Sequence, residues 1–182
     1  NVDREQVNGL KAVGVTELSL DNLVQYRIFH VTPEYVTQMR AAFPGISLDK
    51  MVEMRIQKVT PEFAKEMAGL GYSNLNADQL IAFRIHGVTP EFIQAMAKMG
   101  FGKIDADQLI QFKIFNVNAD QVQELGRYGY KDLSSDQLIA FRIHHVDSAF
   151  IEKVKKAGYE HPSADELVQM KILGIRHREA GL

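Results

Sequence analysis

The sequence predicts an all-α fold, a right-handed α-solenoid of six helix-turn-helix repeats of about 29 residues each. Three observations predict it. Val2, Val31, Val59, Val88, Val117 and Val146 recur at steps of 29, 28, 29, 29 and 29, and Ile175 follows after another 29. Around these markers each copy repeats one order of residues: a capping residue, an apolar set at helical spacing, a turn, then a second cap and a second apolar set. Finally, one helix of about ten residues is marginal alone, and a pair buries too little surface to fold, so neighbouring pairs must stack.

The copies are 1–29, 30–57, 58–86, 87–115, 116–144 and 145–173, with 174–182 as a C-terminal cap or tail of a single array over 1–182. The second copy is one residue short, at the turn Phe43-Pro44-Gly45. In each copy the first helix starts at Asp3, Thr32, Thr60, Thr89, Asn118 or Asp147, whose side chains accept from an otherwise unpaired backbone N–H. Pro33, Pro61 and Pro90 follow three of these caps, where a missing N–H costs nothing. Phe92, Ile93, Met96 and Met99 show the helical spacing, and Gly14, Gly71, Gly100, Gly129 and Gly158 stop the helix.

The second helix begins at Ser19, Ser47, Asn76, Asp105, Ser134 or Ser163, and Gln79, Gln108, Gln137 and Glu166 sit three residues after their caps, the capping-box spacing. Its apolar set (Leu80, Ile81, Phe83 and Ile85 in the third copy) is the larger, so it is expected to be the more buried helix. Met39, Met67 and Met96 on the first helix, and Tyr26, Phe83, Phe112 and Phe141 on the second, are core candidates. With helices about 8–10 Å apart, six units make a curved rod roughly 50–60 Å long.

Two charged positions repeat without exception. Asp21, Asp49, Asp78, Asp107, Asp136 and Asp165 follow the second-helix cap by two residues, and Arg27, Arg55, Arg84, Lys113, Arg142 and Lys171 lie near that helix's end. The helix dipole favours both placements. The cation also falls inside the apolar arc, between the positions of Leu80 and Ile81 in the third copy, and so must snorkel out or find a partner. Its own Asp lies about 9 Å along the axis and about 120° round. A structural ladder between copies is therefore expected: Arg27 with Asp49, Arg55 with Asp78, Arg84 with Asp107, Lys113 with Asp136, Arg142 with Asp165.

The remaining chemistry is sparse. The chain has 182 residues, 46% hydrophobic and 24% charged, with no Cys, which removes disulfides, thiolate zinc sites and Cys nucleophiles together. A net charge of −2 argues against a generic nucleic-acid surface, and no apolar run is long enough to span a membrane. Gly100-Phe101-Gly102-Lys103 has the flavour of a phosphate loop, but Ala97 stands where the first Gly is needed and Ile104 where Ser or Thr should follow Lys. Phe101 and Lys103 read as turn residues. His30, His86, His144 and His145 cluster at the junctions between units, and His161 and His177 lie apart, so no shared metal is expected. Lys153, Lys155 and Lys156, with Arg176 and Arg178, form a basic terminal end. No catalytic, cofactor-binding or metal-ligating residue is expected.

The unit V-T-P-E-F-x-x-x-M-x-x-x-G-[FY]-x-x-[LI]-[SND]-x-D-Q-L-[IV]-x-x-[RK]-I resembles a bacterial helical repeat of about 29 residues, found in C-terminal regions of membrane metallopeptidases of the bla-regulator type and in related uncharacterised proteins. The likeness is most specific at Val88–Phe92 and Asp107–Ile114. It implies an extracytoplasmic, periplasmic segment with an accessory or sensing role, and a start on a repeat boundary without Met fits a piece of a longer chain. Val88-Thr89-Pro90-Glu91 with Phe92-Ile93-Gln94-Ala95-Met96-Ala97 is also similar to the opening of TAL-effector repeats, which implies nucleic-acid binding. Here the period is shorter, the turn keeps no Gly-Gly step, and net −2 leaves little charge for phosphates.

The expected function is a non-enzymatic scaffold that binds a protein or peptide partner along its extended surface. A rigid spacer is the alternative. The exposed second-helix residues Gln25, Glu53, Ala82, Gln111, Ala140 and Gln169 vary between copies and do not decide between them.

Overall fold

The computed structural model describes residues 4–16 and 18–175. Val2, the cap Asp3, His177 and the basic pair Arg176 and Arg178 lie outside the described residues. The protein is all-helical. Twelve α-helices and no strand occur among the described residues, two helices to each sequence copy. The pairs are α1 (Arg4–Ala12) and α2 (Leu20–Ile28), α3 (Pro33–Ala42) and α4 (Leu48–Ile56), α5 (Pro61–Gly69) and α6 (Ala77–His86), α7 (Pro90–Lys98) and α8 (Ala106–Ile114), α9 (Ala119–Arg127) and α10 (Ser135–Ile143), and α11 (Ser148–Lys156) and α12 (Ala164–Leu173).

The helices start where side chains can satisfy the first free N–H groups. Thr32, Thr60, Asn118 and Asp147 cap first helices, and all six expected second-helix caps accept from the backbone three residues on. Gln79, Gln137 and Glu166 complete reciprocal capping boxes, while in α8 Asp105 accepts from the Gln108 N–H at 2.9 Å.

The endings explain the valine register. Val31, Val59, Val88, Val117 and Val146 each donate their N–H to the carbonyl five residues back, at 2.7–2.8 Å, and each side chain is buried. This is the Schellman closure, whose final residue folds an apolar side chain back onto the helix. The preceding residue is left-handed: His30, Lys58, Gly87, Asn116 and His145 have φ between 52 and 69°. First helices close in the same way, with the five expected stop glycines at φ between 76 and 100°. Tyr72, Phe101 and Tyr130 follow three of those glycines and stand edge-on to Phe83, Phe112 and Phe141 at 6.1–6.2 Å.

The chain divides into two compact units, Asn1–Pro90 and Glu91–Leu182, although the repeat register runs through that point unbroken. In the first unit α1 packs on α3, α3 on α5 and on α4, and α4 on α6. Gly9 brings α1 close to α3, since a Cβ there would meet Pro33 Cγ at 2.8 Å. In the second unit α8 packs on α10 and α10 on α12. Apart from the α3–α4 contact inside one hairpin, these contacts join like to like, first helix to first and second to second.

Met39, Met67 and Met96 are fully buried, as are Tyr26, Phe83, Phe112 and Phe141, in agreement with the sequence reading. Two details differ. First and second helices bury two or three residues each, α1 apart, so the second helix is not the more buried. And Ile85, expected in the core, is 57% exposed. At about 100° per residue it stands beyond the arc of Leu80, Ile81 and Phe83.

Candidate functional site

Each cation of the second helix finds its partner inside its own copy, at one position of the first helix. Arg55 lies over the Tyr35 ring at 4.8 Å, Arg84 over Phe63 at 3.7 Å, Lys113 over Phe92 at 4.8 Å and Lys171 over Phe150 at 4.4 Å. In the first and fifth copies that position holds glutamine instead. Arg27 donates to Gln6 Oε1 at 3.4 Å, and Arg142 donates to Gln121 Oε1 at 2.8 Å. The expected partners between copies were Asp49 for Arg27, Asp78 for Arg55, Asp107 for Arg84, Asp136 for Lys113 and Asp165 for Arg142; the contacts these cations show here are with the first helix of their own copy and, for Arg55, with the Phe29 carbonyl. The reason is angular. About 120° separates Asp and cation on the same helix, so the Asp faces outward while the cation faces the first helix, where an aromatic face attracts it.

Arg55 also ties the copies together, since its Nε donates to the Phe29 carbonyl at 3.2 Å, the C-cap of α2. Tyr35 beneath it donates its hydroxyl to the Met51 carbonyl at 2.9 Å. Burial pushes the Tyr35 phenol up to about 12, with the Arg55 guanidinium holding it back in part. Where glutamine replaces the ring, a cleft opens. One of about 250 Å³ is lined by Gln121, Arg142, His145, Asp120 and Glu124, and one of about 540 Å³ by Gln6, Arg27, His30, Glu5 and Glu34. Gln121, Arg142, His145 and Asp120 hold the repeat positions of Gln6, Arg27, His30 and Glu5, whereas Glu124 and Glu34 have no acidic counterpart.

The aspartates form the outward row. Asp21, Asp49, Asp78, Asp107, Asp136 and Asp165 all lie in the first turns of second helices and are exposed. Two of them, Asp78 and Asp165, link neighbouring copies, through the residue three places after the preceding copy's cap. Lys50 meets Asp78 at 2.7 Å, and Gln137 Nε2 donates to Asp165 at 3.3 Å. Lys50 also holds Glu53 at 2.5 Å, and the two carboxylates raise its pKa above the usual lysine value, the Asp78 bond first. Among the described residues Lys50 is the cation paired with this row.

A second row was not foreseen. Ile28, Ile56, Ile85, Ile114, Ile143 and Ile172 directly follow the cation in every copy and are 62, 45, 57, 52, 48 and 57% exposed. The signal was present in the repeat itself, as an isoleucine kept beside each cation at a position beyond the apolar arc.

Other candidates stay apart. Phe101 and Lys103 sit in the turn after α7, with Phe101 against Phe112. His86 ends α6, His144 is the C-cap of α10, and His30 and His145 take the left-handed junction positions. Among the described residues no group of three or more His, Cys, Asp or Glu is placed to hold a metal ion, and no helix is long and apolar enough to cross a membrane. No family model matches the chain, and neither a curated protein nor a solved structure matches it.

Proposed function

We propose that the chain is a non-enzymatic α-solenoid scaffold whose second-helix face binds another protein or peptide, as an extracytoplasmic segment of a larger bacterial sensor or envelope protein. The unbroken repeat register supports a continuous six-copy array, right-handed as such helical hairpins stack, and like-on-like packing within each unit supports stacking. The setting rests on the resemblance of the repeat.

One observation carries the binding role: an isoleucine roughly half exposed at the same position in all six copies. A single exposed aliphatic side chain is ordinary, whereas a row of them is what an interaction surface requires. A spacer needs no such row.

The test compares the wild type with an Ile56→Ser/Ile85→Ser/Ile143→Ser variant against an array of amphipathic helical peptides. Loss of binding at unchanged thermal stability supports the scaffold. Equal binding by the variant removes it, and a wild type that binds none of the peptides leaves the spacer standing. Salt-dependent binding of DNA or RNA by the wild type would restore the nucleic-acid reading.

A further inference from the structure

The aspartate and isoleucine rows lie on one face. Within each second helix the two residues are seven positions apart (Asp21 and Ile28, Asp49 and Ile56, Asp78 and Ile85, and so on), and seven residues make two turns less about 20°. Each helix thus shows an exposed carboxylate near its start and an exposed isoleucine near its end, about 10 Å further along. Between them stand Gln25, Glu53, Ala82, Gln111, Ala140 and Gln169, none of them a cation. The packing of α4 on α6 in the first unit, and of α8 on α10 and α10 on α12 in the second, sets these residues side by side, so within each unit they form two parallel stripes rather than scattered spots.

The charge of this face is one-sided for a structural reason. The cations that would neutralise it are drawn sideways onto Tyr35, Phe63, Phe92, Phe150, Gln6 and Gln121, Arg27 and Arg84 staying exposed and the other four half-buried. The acids stay outside, with Lys50 as their ionic partner among the described residues. An α-helix is about 10 Å across, the separation of the stripes. Its two-turn rise of about 10.5 Å is close to the 8–10 Å between neighbouring packed helices. One helix laid across the second helices of a unit therefore touches both stripes and repeats its contacts every heptad.

We propose that this face docks a basic amphipathic helix of another protein, with its apolar side on the isoleucine row and its Lys and Arg side chains over the aspartate row. The proposal rests on the scaffold reading above and names its partner class. A phosphate-bearing surface, whether anionic membrane or nucleic acid, meets like charge here and is disfavoured. An acidic helix is disfavoured for the same reason.

The test uses the whole chain and three labelled three-heptad peptides followed by fluorescence anisotropy. One is patterned with Leu on one face and Lys beside it, one has Glu in place of Lys, and one has Lys with Gln in place of Leu. The Leu/Lys peptide is expected to bind, and to bind more weakly as salt rises. Ile114→Ser/Ile143→Ser is expected to weaken it about tenfold with thermal stability unchanged. Asp107→Asn/Asp136→Asn is expected to weaken it severalfold and flatten the salt dependence. Asp132→Asn/Glu160→Gln, an equal charge change at exposed turn residues, is expected to leave it unaltered. Equal binding of the Lys/Gln peptide, insensitivity to the isoleucine pair, or equal weakening by the turn pair would overturn the proposal. Preference for the Leu/Glu peptide would overturn it while leaving the scaffold reading in place. Binding of none of the three would remove both.

Discussion

The third and fifth copies place an arginine at the same point of the same helix and hold it by different chemistry. Arg84 rests on the Phe63 ring, whereas Arg142 is gripped by a hydrogen bond from its Nε to Gln121. Phe63 and Gln121 are both buried, so each commits its copy to something. The ring supplies apolar contact whether or not a cation lies above it. The amide supplies little without one, because a buried carbonyl oxygen deprived of its donor carries a desolvation penalty. The ring copies thus keep their strength in packing, and the glutamine copies keep theirs in a polar bond beside an open cleft.

The largest effect expected from this contrast is at the ring. Phe63→Ala should destabilise the chain by about 3–5 kcal/mol, the usual range for emptying a buried aromatic site, and denaturant unfolding would measure it. A loss well below 1 kcal/mol would mean the ring is merely a seat for Arg84. Next comes Arg142→Met, which strands the Gln121 amide and should cost about 1–3 kcal/mol. Restoring stability with Arg142→Met/Gln121→Leu in the same protein would confirm that the cost lies in the unpaired amide.

The second copy sharpens the comparison, because its ring can ionise. Tyr35→Phe removes the hydrogen bond to the Met51 carbonyl and should cost about 1 kcal/mol at neutral pH. The folded Tyr35 phenol is raised to about 12, so its neutral form is favoured in the fold. Its contribution is complete below the ordinary tyrosine value near 10 and is lost as pH climbs from there through about 12. A pH series of melting temperatures should show that alkaline fall shallower in Tyr35→Phe; identical curves would count against a buried phenol. Smallest of all, Arg84→Met should cost only about 0.5–1 kcal/mol, an exposed cation–π contact. A cost equal to that of Arg142→Met would erase the distinction between ring and amide.

Much of the fold was legible in the sequence because caps, stop glycines and buried methionines act locally. Thr60 caps α5 by accepting from a backbone group three residues away, and no neighbour is needed to say so. The cation row was only half legible. Periodicity placed Arg84 inside an apolar arc, but what covers that arc depends on which helix faces it, and what Arg84 meets there is Phe63. Ile85 was misjudged for the complementary reason: an apolar residue looks like core until the neighbouring helix is known to lie elsewhere. The left-handed residues carry a weak local signal at best: Asn116, His30 and His145 are of types enriched at positive φ, whereas Lys58 is not, and its alignment with Gly87 is what hints at the geometry.

Those joints have a consequence for how such a chain grows. Every described copy passes to the next through one left-handed residue and one buried valine. Duplicating one copy's worth of codons therefore brings its own correctly shaped joint, and deleting one leaves no mismatched ends. Gene recombination can lengthen or shorten the protein in whole steps, and with it the number of rungs offered along its face, without inventing a new contact.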